Sequence, residues 1–346
     1  MAKPIRILIY SPNFYPSIGG LEILVEQLAT QFYLDGHSVI IITKSVSDEL
    51  NKFPFKILNS SNFIDFLKEY LKCTIFFMPN LSLKGIWPYL LFPFKRLVIS
   101  HNNCYVSGAK NKDIRDFLKL TLMFFAKNIS VSKYISKQIW TKSIVIPNCY
   151  RNKIFYLENN NIKSHSILFV GRLVSDKGID DLVKACKILR DKRIQFTLTI
   201  VGEGPEIEWI SDYIKLHKLE NSVILLGKRI GKDVANLMNQ SSIVVLPSRN
   251  EPFGIIGLEA LACGCRLIVS DSGALPEVFG KFADVFQTNN VQHLSNVLQN
   301  NLNDLNSNMN RNYNASLDAY LCSFSPEIIS KKYLSVFLGN KSSFIE

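Results

Sequence analysis

The chain has 346 residues, 47% hydrophobic and 20% charged, a length and balance that fit two globular domains and exclude wholesale disorder. No run approaches the roughly 18–20 apolar residues of a membrane-spanning helix, and the seven cysteines, scattered without a C-x-x-C pair, indicate neither a disulfide framework nor a zinc site. The net charge is +11; residues 1–150 hold 18 Lys+Arg against 9 Asp+Glu, and residues 151–346 hold 22 against 20, so it is the first half that suits an anionic partner.

The first apolar run, within Ile5–Tyr10, is only four residues long and reads as a buried strand rather than a signal peptide. The loop Pro12-Asn13-Phe14-Tyr15-Pro16-Ser17-Ile18-Gly19-Gly20-Leu21-Glu22 follows it. Its paired glycines stand at the entrance of a predicted helix, Gly20–Tyr33, where backbone can approach a phosphate or sugar; an ordinary tight turn is the plainer reading. Leu21, Leu24, Val25, Leu28, Ala29 and Phe32 share one face of that helix. Further strands are predicted at Ser38–Thr43, Thr74–Met78, Arg96–His101, Asn128–Val131 and Ile144–Ile146, with a short helix over Lys133–Trp140. His101 therefore falls at the carboxyl end of a strand, either lining a cleft or serving the structure. Aromatics and lysines interleave over Lys84–Arg96 and Leu118–Phe125. They read either as core with solvated lysines or as a face turned to an anionic membrane.

The polar interval Glu158–Ser164 is a natural linker. Beyond it, strands are predicted at Ser166–Val170, Gln195–Val201, Val223–Leu226, Ser242–Leu246, Arg266–Ser270 and Ala283–Phe286. Helices are predicted at Lys177–Lys192, Glu206–His217, Lys232–Gln240, Ile255–Ala262 and from Gln292 onward, with a last one at Pro326–Leu338. The asparagine-biased Asn289–Asn314 keeps a helical apolar spacing. The expected fold is α/β: two doubly wound Rossmann-like domains facing a central cleft, with ligands at the carboxyl ends of the strands. The expected bounds are residues 1–156, 157–323, and a helix in 324–346 returning to the first domain.

Two segments carry the chemistry. In Val170-Gly171-Arg172-Leu173-Val174-Ser175-Asp176-Lys177-Gly178 a buried strand opens into a loop with two cations five residues apart. A forked guanidinium and a point-charge ammonium suit the oxygens of a diphosphate, and the amides of a following helix would add to them. In Glu251-Pro252-Phe253-Gly254-Ile255-Ile256-Gly257-Leu258-Glu259 two carboxylates lie seven residues apart, with Gly254 at the helix entrance. Glu259 sits in an otherwise apolar helix, so it needs partners; ribose hydroxyls or a structural salt bridge would serve.

Taken with Gly19-Gly20-Leu21-Glu22, His101, Val131-Ser132, Ile146-Pro147-Asn148 and Val201-Gly202-Glu203-Gly204-Pro205, the order of these motifs resembles the family 4 glycosyltransferases of GT-B fold over residues 5 to about 338. The resemblance implies a retaining enzyme that moves a hexose-type sugar from a nucleotide-diphosphate donor, a UDP-sugar by family frequency. The acceptor would be a hydroxyl of a glycan or lipid-linked saccharide, in surface polysaccharide or glycolipid synthesis. It implies that Arg172 and Lys177 bind the donor diphosphate in place of a metal, so that neither metal nor cofactor is expected. It gives Glu259 the ribose and places Glu251, with the backbone of Phe253, Gly254 and Ile255, on the transferred sugar. Gly19 and Gly20 would meet the phosphate, His101 the sugar, and Arg229 the base; Gly171 and Gly202 complete the donor set. Cys149, Arg266 and Ala274 depart from the family pattern without removing a charged donor contact.

A dehydrogenase is disfavoured because Gly202-x-Gly204 lacks its third glycine, Ile207 standing there. A sugar-nucleotide epimerase of the same fold and a non-catalytic partner subunit stay open as alternatives. No recognition helix, zinc finger or ribonucleoprotein motif supports nucleic acid as partner. The expected location is cytoplasmic, peripheral on the inner face of the cell membrane if the basic first domain meets anionic lipid.

Overall fold

Alternating short apolar runs and helical segments fold, in the computed structural model, into two parallel sheets wrapped by helices. The structure describes residues 3–15, 19–44, 52–105, 114–158, 165–306 and 315–339. The chain divides into one unit of Met1–Cys149 with Ser323–Glu346 and another of Tyr150–Cys322.

In the first unit β1 (Arg6–Tyr10), β2 (Ser38–Thr43), β3 (Lys56–Asn59), β4 (Ile75–Pro79), β5 (Arg96–His101), β6 (Lys127–Ser130) and β7 (Ser143–Val145) form a sheet. Their order is β3-β2-β1-β4-β5-β6-β7, with every neighbouring pair parallel. Ile7, Ile9, Ile41 and Phe77 enter one apolar core and Leu8, Tyr10, Ile40 and Phe76 another. Burial on both faces is why these strands read as unbroken apolar runs. Helix α1 (Gly20–Leu34) covers the first face through Leu24, Leu28 and Phe32; α2 (Phe63–Lys72), α3 (Trp87–Leu91) and α4 (Ile114–Leu122) cover the second.

Two local expectations change here. No strand is predicted at Lys56–Asn59, because this four-residue edge strand is only half-buried and shows neither a long apolar run nor alternation. The helix predicted over Lys133–Trp140 is shorter, α5 (Lys133–Ser136). Ser132 caps it by accepting from the Ile135 amide at 3.2 Å, and the chain then turns so that Ile139 enters the core.

The second unit contains β8 (Ser166–Val170), β9 (Thr197–Val201), β10 (Val223–Gly227), β11 (Ile243–Leu246), β12 (Arg266–Ser270) and β13 (Ala283–Phe286). They are ordered β10-β9-β8-β11-β12-β13, again all parallel. Helices α6 (Ile179–Asp191) and α7 (Ile207–Leu216) pack on one face together with α11 (Val291–Asn306). Helices α8 (Lys232–Gln240), α9 (Ile255–Ala262) and α10 (Leu275–Phe279) lie against the strands as well, and α12 (Ala315–Cys322) closes the unit. The predicted linker residues 159–164 and the asparagine-rich 307–314 lie outside the described residues.

The division falls at Cys149/Tyr150, where the sequence suggested residue 156. Residues 151–158 are fastened to the second unit: Arg151 pairs with Glu259, and Asn239 bonds both the Tyr156 carbonyl and the Glu158 amide. The last helix, α13 (Pro326–Leu338), belongs to the first unit. Its Ile329, Tyr333, Val336 and Phe337 join the core beside α1; the Arg96 guanidinium donates to the Phe337 carbonyl, and the Ser100 and Tyr333 hydroxyls are 3.0 Å apart.

In both sheets the strand order reverses beside the first strand, between β1 and β4 and between β8 and β11. Loops leaving the carboxyl ends of those strands part in opposite directions, which opens a crevice at the rim where such sheets bind ligands.

Candidate functional site

The second unit gathers most of the predicted residues on one rim. Gly171, Arg172 and Lys177 follow β8, Gly202 follows β9, Arg229 follows β10, Glu251, Phe253 and Gly254 lie between β11 and α9, and Ile255 opens α9. Because the strands are parallel, all these loops leave the same edge, and the β8 and β11 loops flank the reversal.

The β8 loop is knit to its neighbour by backbone bonds, Leu173 N to Glu203 O at 2.9 Å and Glu206 N to Leu173 O at 3.0 Å, with Leu173 buried. This holds Arg172 outward: it is exposed, and its guanidinium makes no hydrogen bond or ion pair among the described residues. Lys177 does not open the helix as the sequence suggested. It ends a single 3₁₀ turn, Ser175–Lys177, and Gly178 adopts the left-handed conformation (φ +65°) before α6 begins at Ile179. A Cβ at Gly178 would lie 2.0 Å from the Pro247 carbonyl oxygen, so only glycine lets the β8 and β11 loops touch.

Across that contact Lys177 Nζ lies 2.6 Å from Glu251 Oε2, which also accepts from Ser248 Oγ at 3.2 Å. Glu251 is buried, and its backbone carbonyl is held by the Ala274 amide at 2.8 Å. Gly254 (φ +91°) precedes helix α9 without a side-chain cap, and Phe253 is buried beside it. The expected anion site at the start of α6 is altered by that helix's own residues. Asp180 and Asp181 occupy its first turn and already complement its dipole, leaving Arg172 and Lys177 as the cations of the loop.

Arg249 was not singled out from the sequence, yet it clasps these loops together. Its guanidinium pairs with Asp180 and Asp181 at 2.8 Å, bonds Asn289 at 2.7 Å and reaches the Ser175 carbonyl, while its amide donates to Asp176 O. Burial works against the Asp180 carboxylate, but bonds from Lys184 and Arg249 outweigh it and hold its pKa below the ordinary value; burial and the neighbouring Asp180 charge raise that of Asp181. Nothing in the sequence marks Arg249, because its acidic partners lie 68 and 69 residues away.

Glu259, inside α9, is 1% exposed. Arg151 approaches its Oε1 twice, through Nε at 3.3 Å and Nη2 at 3.2 Å, and the Arg151 guanidinium lies 4.9 Å from the centre of the Phe155 ring. Burial pushes the Glu259 pKa up to about 7 against the pull of Arg151. The carboxylate partner required by sequence logic is therefore an arginine 108 residues away, a second residue the sequence did not mark.

The first unit presents its own carboxyl rim. Gly19 precedes α1 in an extended conformation with no side-chain cap, its carbonyl accepting from Ile23 N at 3.1 Å, and Gly20 is the first helical residue. Residues 16–18 of the preceding loop lie outside the described residues. His101 ends β5 fully buried. Its Nε2 donates to Asn128 Oδ1 at 2.9 Å and its Nδ1 meets the Tyr105 hydroxyl, and burial pushes its pKa down to about 4 although the Asn128 bond raises it. His101 is thus a neutral imidazole with both nitrogens engaged by protein. Nearby on this rim Asn80 (φ +70°) accepts from the Asn102 amide at 2.8 Å.

A cavity of about 890 Å³ lined by residues including Arg190, Arg193 and Ser222 opens at the opposite rim, by the amino ends of β9 and β10, away from these loops. Among the described residues no three His, Cys, Asp or Glu side chains are grouped to hold a metal ion, and no helix is long and apolar enough to cross a membrane.

Residues 152–318, which contain this whole second rim, match the family described as glycosyl transferases group 1. The chain carries a group 1 glycosyltransferase domain. The matched span includes Arg172, Lys177, Arg249, Glu251 and Glu259. The chain is 33% identical over 168 residues to an uncharacterised glycosyltransferase from Methanocaldococcus jannaschii, an alignment covering 47% of this chain and 45% of that protein. It is 25% identical over 311 residues to a phosphatidylinositol N-acetylglucosaminyltransferase subunit from Homo sapiens, covering 79% of this chain and 63% of that one. The chain thus spans less than two thirds of the length of either relative. Among solved structures, that of Anabaena HepE in complex with UDP and glucose is similar at a TM-score of 0.81 and 18% identity, over 97% of this chain and 100% of that one. The fold is accordingly two Rossmann-like domains of GT-B type.

Proposed function

We propose that this chain is a retaining glycosyltransferase that moves a hexose-type sugar from a nucleotide-diphosphate donor, a UDP-sugar, to a hydroxyl of a glycan or lipid-linked saccharide. The observation that carries the reading is the Lys177–Glu251 pair, 2.6 Å apart where the strand order reverses, beside the exposed Arg172. A cation and a buried carboxylate in contact give one group for a phosphate oxygen and one for sugar hydroxyls at adjoining positions.

In this reading Arg172 and Lys177 grip the diphosphate and stabilise the charge that grows on it as the bond from phosphate oxygen to sugar C1 breaks. The acceptor hydroxyl oxygen bonds to C1 on the face that the phosphate leaves, and its proton passes to the departing phosphate oxygen. The products are a glycoside of unchanged anomeric configuration and a nucleoside diphosphate. In this reading the two cations carry out the charge stabilisation, so the reaction runs without a metal. Glu251 and the backbone at Phe253, Gly254 and Ile255 orient the sugar, Glu259 takes the ribose and Arg229 the base, and Gly171 and Gly202 complete the donor set. Gly19 and Gly20 serve the phosphate from the first domain. His101 is assigned to the sugar by the motif resemblance alone, and both its nitrogens are already bonded within the first unit. UDP is favoured because the similar Anabaena protein was crystallised with UDP and glucose. Surface polysaccharide or glycolipid synthesis at the cytoplasmic face of the cell membrane is the setting that fits a basic first domain.

A thermal-shift panel of nucleotide sugars tests the donor, since the right one stabilises the fold by mass action. With an authentic donor–acceptor pair, Lys177→Ala and Glu251→Ala should each reduce transfer roughly 10²-fold or more, and a chelator should leave the wild-type rate unchanged. Near-normal transfer by both variants would sink the reading. Donor turnover without acceptor would replace it with an epimerase.

A further inference from the structure

The positive charge of the first half is concentrated in one stretch. Residues 84–142 hold eleven Lys or Arg, nine of them Lys, against two Asp, a surplus of nine; the rest of residues 1–150 hold seven basic against seven acidic. That stretch carries α3, β5, α4, β6 and α5, at one side of the first sheet.

The same stretch turns large apolar side chains outward. Leu90, Phe94, Phe117, Phe124, Phe125 and Trp140 are each at least half exposed, Phe94 to 84%. They do not stand there for want of core positions, because Ile86, Tyr89, Leu120 and Met123 of the same elements fill the core beneath. Contacts link the segments: the Phe117 and Trp140 rings meet edge-on at 6.3 Å, and the Tyr89 hydroxyl donates to the Phe125 carbonyl at 3.2 Å, joining α3 to the 3₁₀ turn Met123–Phe125 after α4. Lys84, Lys127, Lys137 and Lys142 are exposed on the same segments.

The composition selects among partners. Protein interfaces enrich Arg and deplete Lys, whereas this stretch is lysine-rich. Phe, Leu and Trp flanked by lysines match surfaces that seat rings at the headgroup boundary and place ammonium groups among lipid phosphates. We propose that the face formed by α3, the Met123–Phe125 turn and Trp140 docks on an anionic lipid bilayer. It gives a place on the molecule to the membrane part of the functional reading. Docking would hold the enzyme at the surface where a lipid-linked acceptor presents its hydroxyl.

Vesicle binding tests this without any turnover. The full chain should sediment with phosphatidylcholine vesicles containing phosphatidylglycerol, not with phosphatidylcholine alone, and should be released by salt. The Lys127→Gln/Lys137→Gln variant should bind the anionic vesicles about 30-fold more weakly, and Phe124→Ser/Phe125→Ser about tenfold more weakly or worse. Both variants should keep the wild-type thermal shift with nucleotide sugar, which shows that they are folded. Absence of wild-type binding at low salt, or variants that bind as wild type, would overturn the docking face. So would capture of a single-stranded oligonucleotide in place of vesicles. Loss of vesicle binding with the nucleotide-sugar shift intact removes only the docking face; loss of the shift with vesicle binding intact removes only the donor reading.

Discussion

Glu259 and Arg151 show how a carboxylate is kept inside an apolar helix. Burial disfavours the charged form strongly enough to bring its pKa up to about 7 from an ordinary 4.5, even with Arg151 against Oε1. A raised carboxyl pKa means that the folded chain binds more protons than the unfolded chain between those values. Its stabilising share is complete below pH 4.5 and is lost as pH rises through 7. Glu259→Gln, neutral throughout, should flatten that part of the curve of melting temperature against pH. Ribose hydroxyls donate best to the ionised carboxylate, so affinity for a nucleotide sugar, whose esterified diphosphate does not titrate in this range, should fall as pH drops below 7 in the wild type and less in Glu259→Gln; equal slopes in calorimetric titrations would refute the assignment. The need for a Glu259 partner was legible in the sequence. Its identity was not, since Arg151 is distant along the chain and becomes a neighbour only through the fold.

Among the elements, legibility followed the strength of the local pattern. Strands β2, β5, β8 and β12 and helix α8 have the predicted ends, because buried parallel strands and an amphipathic helix write their pattern into the residues; β13, α9 and α13 have the predicted ends as well. The edge strand β3 writes none. The break before α6 was hidden for another reason: Lys177 through Lys192 keeps a helical spacing, and the left-handed Gly178 is imposed by a contact with Pro247 that no local pattern records. That contact sets up a prediction. Gly178→Ala must place a side chain in a conformation costing roughly 1–2 kcal/mol and in collision with the Pro247 carbonyl. It should lower the denaturant midpoint and weaken the nucleotide-sugar thermal shift together, because the loops of Lys177 and Glu251 move apart. A fall in the midpoint with the shift unchanged would show that their contact is only structural.

On the scale of the whole chain, each unit has its own core, and the first is completed by residues from the far end of the sequence. Ile329, Tyr333 and Phe337 are fully buried against α1 and the first sheet. At about 1.5–3 kcal/mol for each buried side chain of this kind, losing α13 removes stability comparable with that of an ordinary domain. A chain ended after Cys322 should therefore lose the calorimetric transition of the first unit and keep that of the second. Retention of both transitions would show that α13 is dispensable to the first core. The motif order made the two-domain plan and the gathering of the second unit's loops on one rim legible from the sequence. The interleaved aromatics and lysines marked the stretch of α3 and the Met123–Phe125 turn, but not which of its side chains face outward, because Tyr89 and Leu90 are adjacent apolar residues with opposite fates.

The return of α13 to the first unit also bears on how the molecule is made. A ribosome delivers β1–β7 early, but their apolar face beside α1 stays uncovered until Pro326–Leu338 has been synthesised. By then every strand of the second unit is already available. The usual order of vectorial folding, amino-terminal domain first, is reversed: the domain begun first is finished last, and the nascent chain must carry its open sheet through the synthesis of the whole second domain.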